Sequence, residues 1–372
     1  MKTGERALIE SLRAVAARHA SRLAAPGILR VGIGDDCAIL RPRAGQEIVV
    51  TTDLFLEQVH FRRDWRQPEA AGHRCLARGL SDIAAMGATP VAAFLSFALP
   101  PELAGSWARS FLDGLLRLAR LHNVPLAGGD TAQAPSVFFA PPRSVRTSRH
   151  ADSETSPGRR PGPNRTAAAG ALFAADIVLI GSVPRGQALL RSGARPGDSI
   201  YVTGALGGAA AELALLQQDP GSYARTVRGQ SGHPHLFPNP RLQAGRALLK
   251  RATAAIDLSD GLSTDLAHLC RESGVAAEIE AALIPIHPLA SRRSAASLAL
   301  AIERALHGGE DYELLFTAPP RRRFPQALAG TPIHRIGTIL PPARGRPRLA
   351  LLDADGKRRP LRNGGWEHLR LP

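Results

Sequence analysis

The chain has 372 residues and a formal charge of +15, from 47 lysines and arginines against 32 aspartates and glutamates. That length suits two domains, each able to bury its own interior, and no apolar run reaches the ~20 residues that span a bilayer. The charge alone would point to nucleic acid, but 44 of the basic residues are arginines, dispersed and without aromatic interleaving; no specific nucleic-acid partner is expected.

Along the chain, residues 5–23 carry Leu8, Ile9, Leu12, Val15 and Ala16 at helical spacing, an amphipathic opening rather than a signal peptide, so a cytoplasmic location is expected. Residues 47–55 read as a strand that delivers Asp53 at its far end. Pro68 suits a helix start, and 73–86 continues as a helix with Leu76, Leu80 and Ile83 on one face and Asp82 near its end. A strand over 91–99, a helix over 102–122 and a short strand over 124–127 follow, the last ending at Gly128-Gly129-Asp130. From 141 to 175 the sequence is dominated by Pro, Arg, Ser and Thr, too polar to offset the entropy of ordering it, and is expected to be a disordered insertion. A strand over 176–183, able to complete the N-terminal sheet, opens the second half. There, strands at 199–203, 254–258 and 312–317 alternate with helices reaching 216, over 241–251 and over 261–272. Such alternation predicts an α+β or α/β architecture, divided into an N-terminal domain (1–140), the insertion (141–175) and a C-terminal α/β domain (176–372).

Cys37, Cys75 and Cys270 form no CxxC pair, so neither a disulfide framework nor a zinc site is indicated. Walker A, nucleophile-elbow, zinc-protease and protein-kinase signatures are absent, and Gly32-Ile33-Gly34 fails as a dinucleotide fingerprint because Cys37 stands where the third glycine belongs. The positive signal is a set of carboxylates at the ends of apolar runs or beside glycine: Asp35 and Asp36, Asp53, Asp82, Asp130, Asp257 and Asp260, Glu310 and Asp311. Singly, each has an ordinary explanation as a helix cap or turn residue. Together they suit several magnesium ions holding phosphates, and phosphoryl transfer needs little beyond such ions, in-line positioning and donors aimed at developing charge.

Taken in order, Gly32-Ile33-Gly34-Asp35-Asp36, Thr51-Thr52-Asp53 with Val59-His60-Phe61, Ser81-Asp82-Ile83-Ala84-Ala85-Met86-Gly87, Gly128-Gly129-Asp130-Thr131, Arg191-Ser192-Gly193-Ala194, Asp257-Leu258-Ser259-Asp260-Gly261 and Gly308-Gly309-Glu310-Asp311-Tyr312 resemble the thiamine-monophosphate kinases. These belong to the aminoimidazole-ribonucleotide-synthetase-like superfamily, and the resemblance runs from about Gly32 to Trp366. It implies magnesium-dependent transfer of the ATP γ-phosphoryl group to thiamine monophosphate, in a homodimer built through the N-terminal sheet-and-helix domain. It also implies that Asp36, Thr51, Thr52, Asp53, Asp82, Asp130, Asp257 and Asp260 bind magnesium, with Asp53, Asp82, Asp130 and Asp260 central to catalysis. Gly129, Asp130, Arg191 and Ser259 would contact ATP; His60, Glu310, Asp311 and Trp366 would lie near thiamine monophosphate. Which of Glu310 and Asp311 points inward is left open, and Trp366 reads either as a stacking partner for the thiazolium or as an aromatic anchor on the core. Aminoimidazole ribonucleotide synthetase is the nearest alternative; it accounts less well for Thr51-Thr52-Asp53 with His60 and for Trp366.

Overall fold

The computed structural model of the protein describes residues 14, 15, 18, 28–33, 37–65, 68–135, 171–221, 223, 227, 229–291, 295–342, 348–353 and 355–366. Most of the predicted 5–23 helix, Asp36 and the stretch 141–170 lie outside these.

The first unit is a four-stranded sheet covered on one face by two helices. A small antiparallel pair, β1 (Leu29–Val31) and β2 (Ile39–Leu40), precedes β3 (Gln46–Leu56), α1 (Pro68–Ala85), β4 (Thr89–Leu99), α2 (Ser106–Leu121), β5 (Leu126–Gln133) and β6 (Ala174–Pro184). The sheet runs β3-β6-β4-β5, antiparallel except for the parallel pair β4 and β5. Three expectations are corrected here. The 102–122 helix is broken: a 3-10 turn, Pro101–Leu103, precedes α2, and Gly105 at its N-cap makes no side-chain capping bond. The strand expected over 124–127 runs on to Gln133, through the glycines. Gly129 has φ +149°, and a Cβ there would strike the backbone of Leu95 on β4, so only glycine keeps the ladder intact. The polar insertion does not reach 175: Ala171 and Phe173 are buried, Phe173 packing against Phe61, Trp107 and Phe111, and that apolar contact repays the ordering of the chain ahead of β6.

The second unit contains β7 (Ser199–Thr203), α3 (Gly208–Gln218), α4 (Leu242–Leu248), β8 (Ala254–Asp257), α5 (Leu262–Ser273), β9 (Ala276–Glu280), α6 (Ala295–His307), β10 (Leu314–Ala318), β11 (Ala327–Leu328), β12 (Thr331–Leu340), β13 (Leu349–Leu352) and β14 (Arg358–Pro360). Its sheet order is β14-β13-β9-β12-β7-β10-β8, with β11 against β12, and only β13 on β9 is parallel. The two units do not have separate interiors. Ala255, Leu314 and Phe316 share a continuous core with Leu76, Leu80 and Leu115, whereas their neighbours Ile256 and Leu315 face a second core under α5 with Leu262 and Leu266. The period of two along β8 and β10 divides the residues this way.

Helix α1 joins everything. It crosses α2 so closely that a Cβ at Gly72 would fall on the Phe111 carbonyl and one at Gly114 on the Glu69 carbonyl. His73, also on α1, lies with Nε2 2.7 Å from the Pro238 carbonyl and its ring edge-on to Phe237, which ties the helix to the segment leading into α4. Two predictions follow from these contacts. Gly72→Val should unfold the protein or lower its melting temperature by at least about 1–4 °C, roughly the effect of overpacking by 1–3 kcal/mol in a chain of this length, as read by thermal circular dichroism. Burial, with help from His122, Arg117 and Arg74, pushes the His73 imidazole down to about 4 against its Pro238 bond. The unfolded chain therefore binds this proton near pH 6.5 while the folded protein resists it, so stability present above 6.5 is lost as pH falls. Urea unfolding should show about 3 kcal/mol of acid-side loss by pH 4 from this group, and a shallower limb in His73→Gln.

Candidate active site

Between the end of β3, the middle of α1 and the loops that lead into and out of β8 and β10 lies a cavity of about 390 Å³. One end is acidic. Asp53 comes from β3, Asp82 from α1 and Asp257 from the end of β8, so three elements from both units deliver carboxylates to one place. The Thr51 hydroxyl, on the same face of β3 as Asp53, donates to Asp82, and the Ser81 hydroxyl donates to Asp257 at 2.8 Å. Burial, then the charge of Asp53, pushes Asp82 up to about 6. Burial, then the charge of Asp82, pushes Asp257 up to about 7. Asp53 is raised by burial against the pull of Arg78. Among the described residues neither Asp82 nor Asp257 has an ion-pair partner, and Arg191, exposed, lowers both only as a secondary influence. Three clustered carboxylates against one guanidinium, Arg78 on Asp53, leave negative charge that suits a hard metal, and the donors are all oxygens. As the side chains stand, no three His, Cys, Asp or Glu residues among those described close around a single ion position.

The other end holds a carboxylate of the opposite disposition. Glu310 lines the cavity and receives Arg74 Nη2 at 2.6 Å, with His235 Nδ1 at 3.1 Å and Arg78 Nη1 at 4.0 Å. Burial alone would raise it, but Arg74, His235 and Arg78 together hold it well below the usual carboxylate range. Arg74 is almost fully buried, also donates to the His60 carbonyl at 2.6 Å and lies over the Phe55 ring. Both Glu310 and Tyr312 have positive φ, +57° and +49°. Backbone bonds from Glu310 to Ser259 (2.8 Å) and from Tyr312 to Leu258 (2.9 Å) hold the loop in that strained form.

The loop alternates, and that settles the choice between its two acids. Asp311 turns away, accepting the Gly207 and Ala209 amides at 2.8 and 3.2 Å at the start of α3, so as a substrate contact it is corrected to a helix-capping acceptor. Ser259, Asp260, His60 and Trp366 all line the cavity. Trp366 is 56% exposed and its amide donates to the Asp260 carbonyl at 3.1 Å, so the aromatic-anchor reading gives way to a ring at the rim. His60 has Nδ1 engaged by the Leu56 amide at 2.9 Å.

Other positions are not brought together. Strand alternation places Thr52 on the opposite face of β3 from Asp53, where its hydroxyl donates to Asp176 at 2.6 Å. Asp130 pairs in register with Ser96, and Ser96 with Asp176, so Asp130 belongs to that open face too and is exposed. The hydroxyl of Thr52 and the carboxylate of Asp130 thus stand on the open face of the first sheet, apart from the cavity that Asp53, Asp82 and Asp257 line. Gly129 lies in the ladder of β5, and Arg191 lies outside the cavity lining.

The family model for AIR synthase related protein, N-terminal domain, matches residues 34–141, and that for the C-terminal domain matches 195–349. The thiamine-monophosphate kinase of Escherichia coli (strain K12) is 36% identical over 349 residues, 92% of this chain and 93% of its own. The chain belongs to the thiamine-monophosphate kinase family. The solved thiamine-monophosphate kinase from Stenotrophomonas maltophilia K279a is 32% identical with a TM-score of 0.72, covering 92% of this chain and 96% of its own. A further structure, AaThiL complexed with AMPPCP and TMP, is 27% identical with a TM-score of 0.66 and covers 99% of both chains.

Within this family fold, sequence reasoning missed Arg74, Arg78, Trp65 and His235, all around the same cavity or its Glu310 wall. Arg74 and Arg78 are four residues apart, and Asp82 four further on, so a single helical face pointed at the cavity was there to be read. His235 carries no such signal, because its place depends on the fold of 229–239. Asp257→Asn removes a buried like charge while keeping an acceptor for Ser81. The ligand-free variant should melt at or slightly above the wild-type temperature, whereas catalytic turnover should fall at least 100-fold; calorimetry beside a product assay checks both.

Proposed function

We propose that this protein transfers the γ-phosphoryl group of ATP to thiamine monophosphate, giving thiamine diphosphate and ADP. The observation that carries the reading is the polarity of one cavity: Asp53, Asp82 and Asp257 at one end, with a single long ion pair from Arg78 to Asp53 among them, and Glu310 with the exposed Trp366 ring at the other. Magnesium fits the acidic end, because the donors there are hard oxygens whose negative charge Arg78 alone offsets; bound there it would supply charge neutralisation for the phosphates. Asp53, Asp82 and Asp257 would hold it, with Asp260 nearby. The acceptor phosphate is already ionised, so no general base and no covalent enzyme intermediate are required. What the chain must do is align two anionic groups and keep water from competing. Glu310, locked by Arg74, faces the substrate cation, and Trp366 offers it a ring face. Ser259 and Arg191 are assigned to ATP. With ATP as co-substrate the enzyme works in the cytoplasm; among the described residues no helix is long and apolar enough to cross a membrane.

A homodimer belongs to the same reading. The face of the first sheet away from α1 leaves Val50 and Leu54 of β3 more than half exposed, with Ile48 beside them, an apolar edge that a second copy would cover.

Three outcomes test this. Purified protein with ATP, magnesium and thiamine monophosphate should yield thiamine diphosphate, resolved chromatographically, and Asp53→Asn should reduce the rate more than 100-fold; a wild-type protein inert under these conditions would sink the assignment. Trp366→Ala should raise KM for thiamine monophosphate about 2- to 30-fold, the equivalent of a cation–π contact of ~0.5–2 kcal/mol, with KM for ATP unchanged. Val50→Glu should shift the protein to monomer in sedimentation.

A further inference from the structure

Arg78 is held only by long contacts. Its Nη2 lies 3.3 Å from Asp53, its Nη1 3.4 Å from the Tyr312 hydroxyl and 4.0 Å from Glu310, and its Nε is buried without a hydrogen-bond partner. Arg74, one turn earlier on α1, has two contacts at 2.6 Å, to the His60 carbonyl and to Glu310. A guanidinium presents five N–H donors in a rigid fork. One that reaches partners only at the long end of the hydrogen-bond range, beside a cavity it lines, is arranged for an acceptor other than its present neighbours.

The cavity says which acceptor. Arg78 stands between Asp53 at the acidic end and Glu310 at the other. Glu310 is already matched by Arg74, so the charge of Arg78 is not needed there. A substrate with its cationic ring toward Glu310 and Trp366, and its phosphate reaching toward the donor phosphates, must put that phosphate at the level of Arg78. We propose that Arg78 grips the acceptor phosphate of thiamine monophosphate and turns it toward the γ-phosphorus, an inference that rests on the kinase reading above. On binding, the fork exchanges its long contact with Asp53 for short charge-assisted bonds to phosphate oxygens, which leaves the Asp53 carboxylate available to the metal side of the site. His60 is less suited to this role, since its Nδ1 is engaged by the Leu56 amide.

The test compares thiamine monophosphate with thiamine, which differs only by the phosphate. Dissociation constants for both are measured by calorimetry with magnesium and a non-hydrolysable ATP analogue present, for wild type, Arg78→Gln and Arg78→Lys, alongside product formation. Arg78→Gln should lower the preference for the phosphorylated ligand about 10- to 100-fold, all of it through thiamine monophosphate, with KM for ATP unchanged and Arg78→Lys intermediate. An unchanged preference, or an equal loss of both ligands, would overturn the proposal and leave Arg78 as a counter-charge for Asp53. A wild-type protein that binds neither ligand and makes no thiamine diphosphate would instead bring down the kinase reading, and this inference with it. Should Arg78→Gln prove unfolded by circular dichroism, the same ratio measured on Arg78→Lys decides.

Discussion

The rest of the site is organised around one unfavourable arrangement: three carboxylates brought out of water within reach of each other's charge. Asp53, Asp82 and Asp257 come from a strand, a helix and a strand end; burial raises all three, and repulsion from other members of the set adds to it at Asp82 and Asp257. Neutral hydroxyls, Thr51 on Asp82 and Ser81 on Asp257, orient two of them without neutralising them, and only Asp53 has a charged donor, Arg78 at 3.3 Å. The electrostatic cost is held in place by packing elsewhere and recovered when a cationic ligand enters. Glu310 is the counter-example in the same cavity, a carboxylate kept ionised and paired in advance by Arg74. The cavity thus has a hungry end and a satisfied end.

Helix α1 makes this arrangement affordable. One of its faces carries Arg74, Arg78 and Asp82 to the cavity, and another carries Leu76, Leu80 and Ile83 into a core shared by both units. Glycines at the crossing with α2 bring backbones together without intervening side chains. Position along such a helix is therefore fixed by main-chain contact, and the three charged side chains inherit that precision.

Much of this was legible in the sequence because it is local. The runs leading to Asp53, Asp82 and Asp257 have the periodicity of the strand, helix and strand that carry them, and the ordered acidic motifs were enough to suggest the family. What was not legible depends on pairing between distant segments. Thr51 and Thr52 are equivalent in the chain, yet the register of β3 with β6 sends one hydroxyl to Asp82 and the other to Asp176 across the sheet. Glu310 and Asp311 part company for the same reason, in a loop whose left-handed residues no propensity anticipates. The continuation of β5 through its glycines, and strands β9 and β12 to β14, likewise follow from neighbours in the sheets rather than from their own composition.

The junction between the end of α1 and α4 has a bearing on how ligands come and go. A Cβ at Gly245 would fall on the Ala84 carbonyl, and one at Gly87 would meet Leu249. Main chain rests on main chain there, close beside the Ser81–Asp257 hydrogen bond that crosses between the units. Between Gly245 and Ala84 no side-chain layer intervenes to shear, so a clamshell opening of one unit from the other would have to part backbones in direct contact there. Access to the cavity then runs past its rim, the turn at Gln58 to His60, the Gly308–Gly309 loop and Trp366.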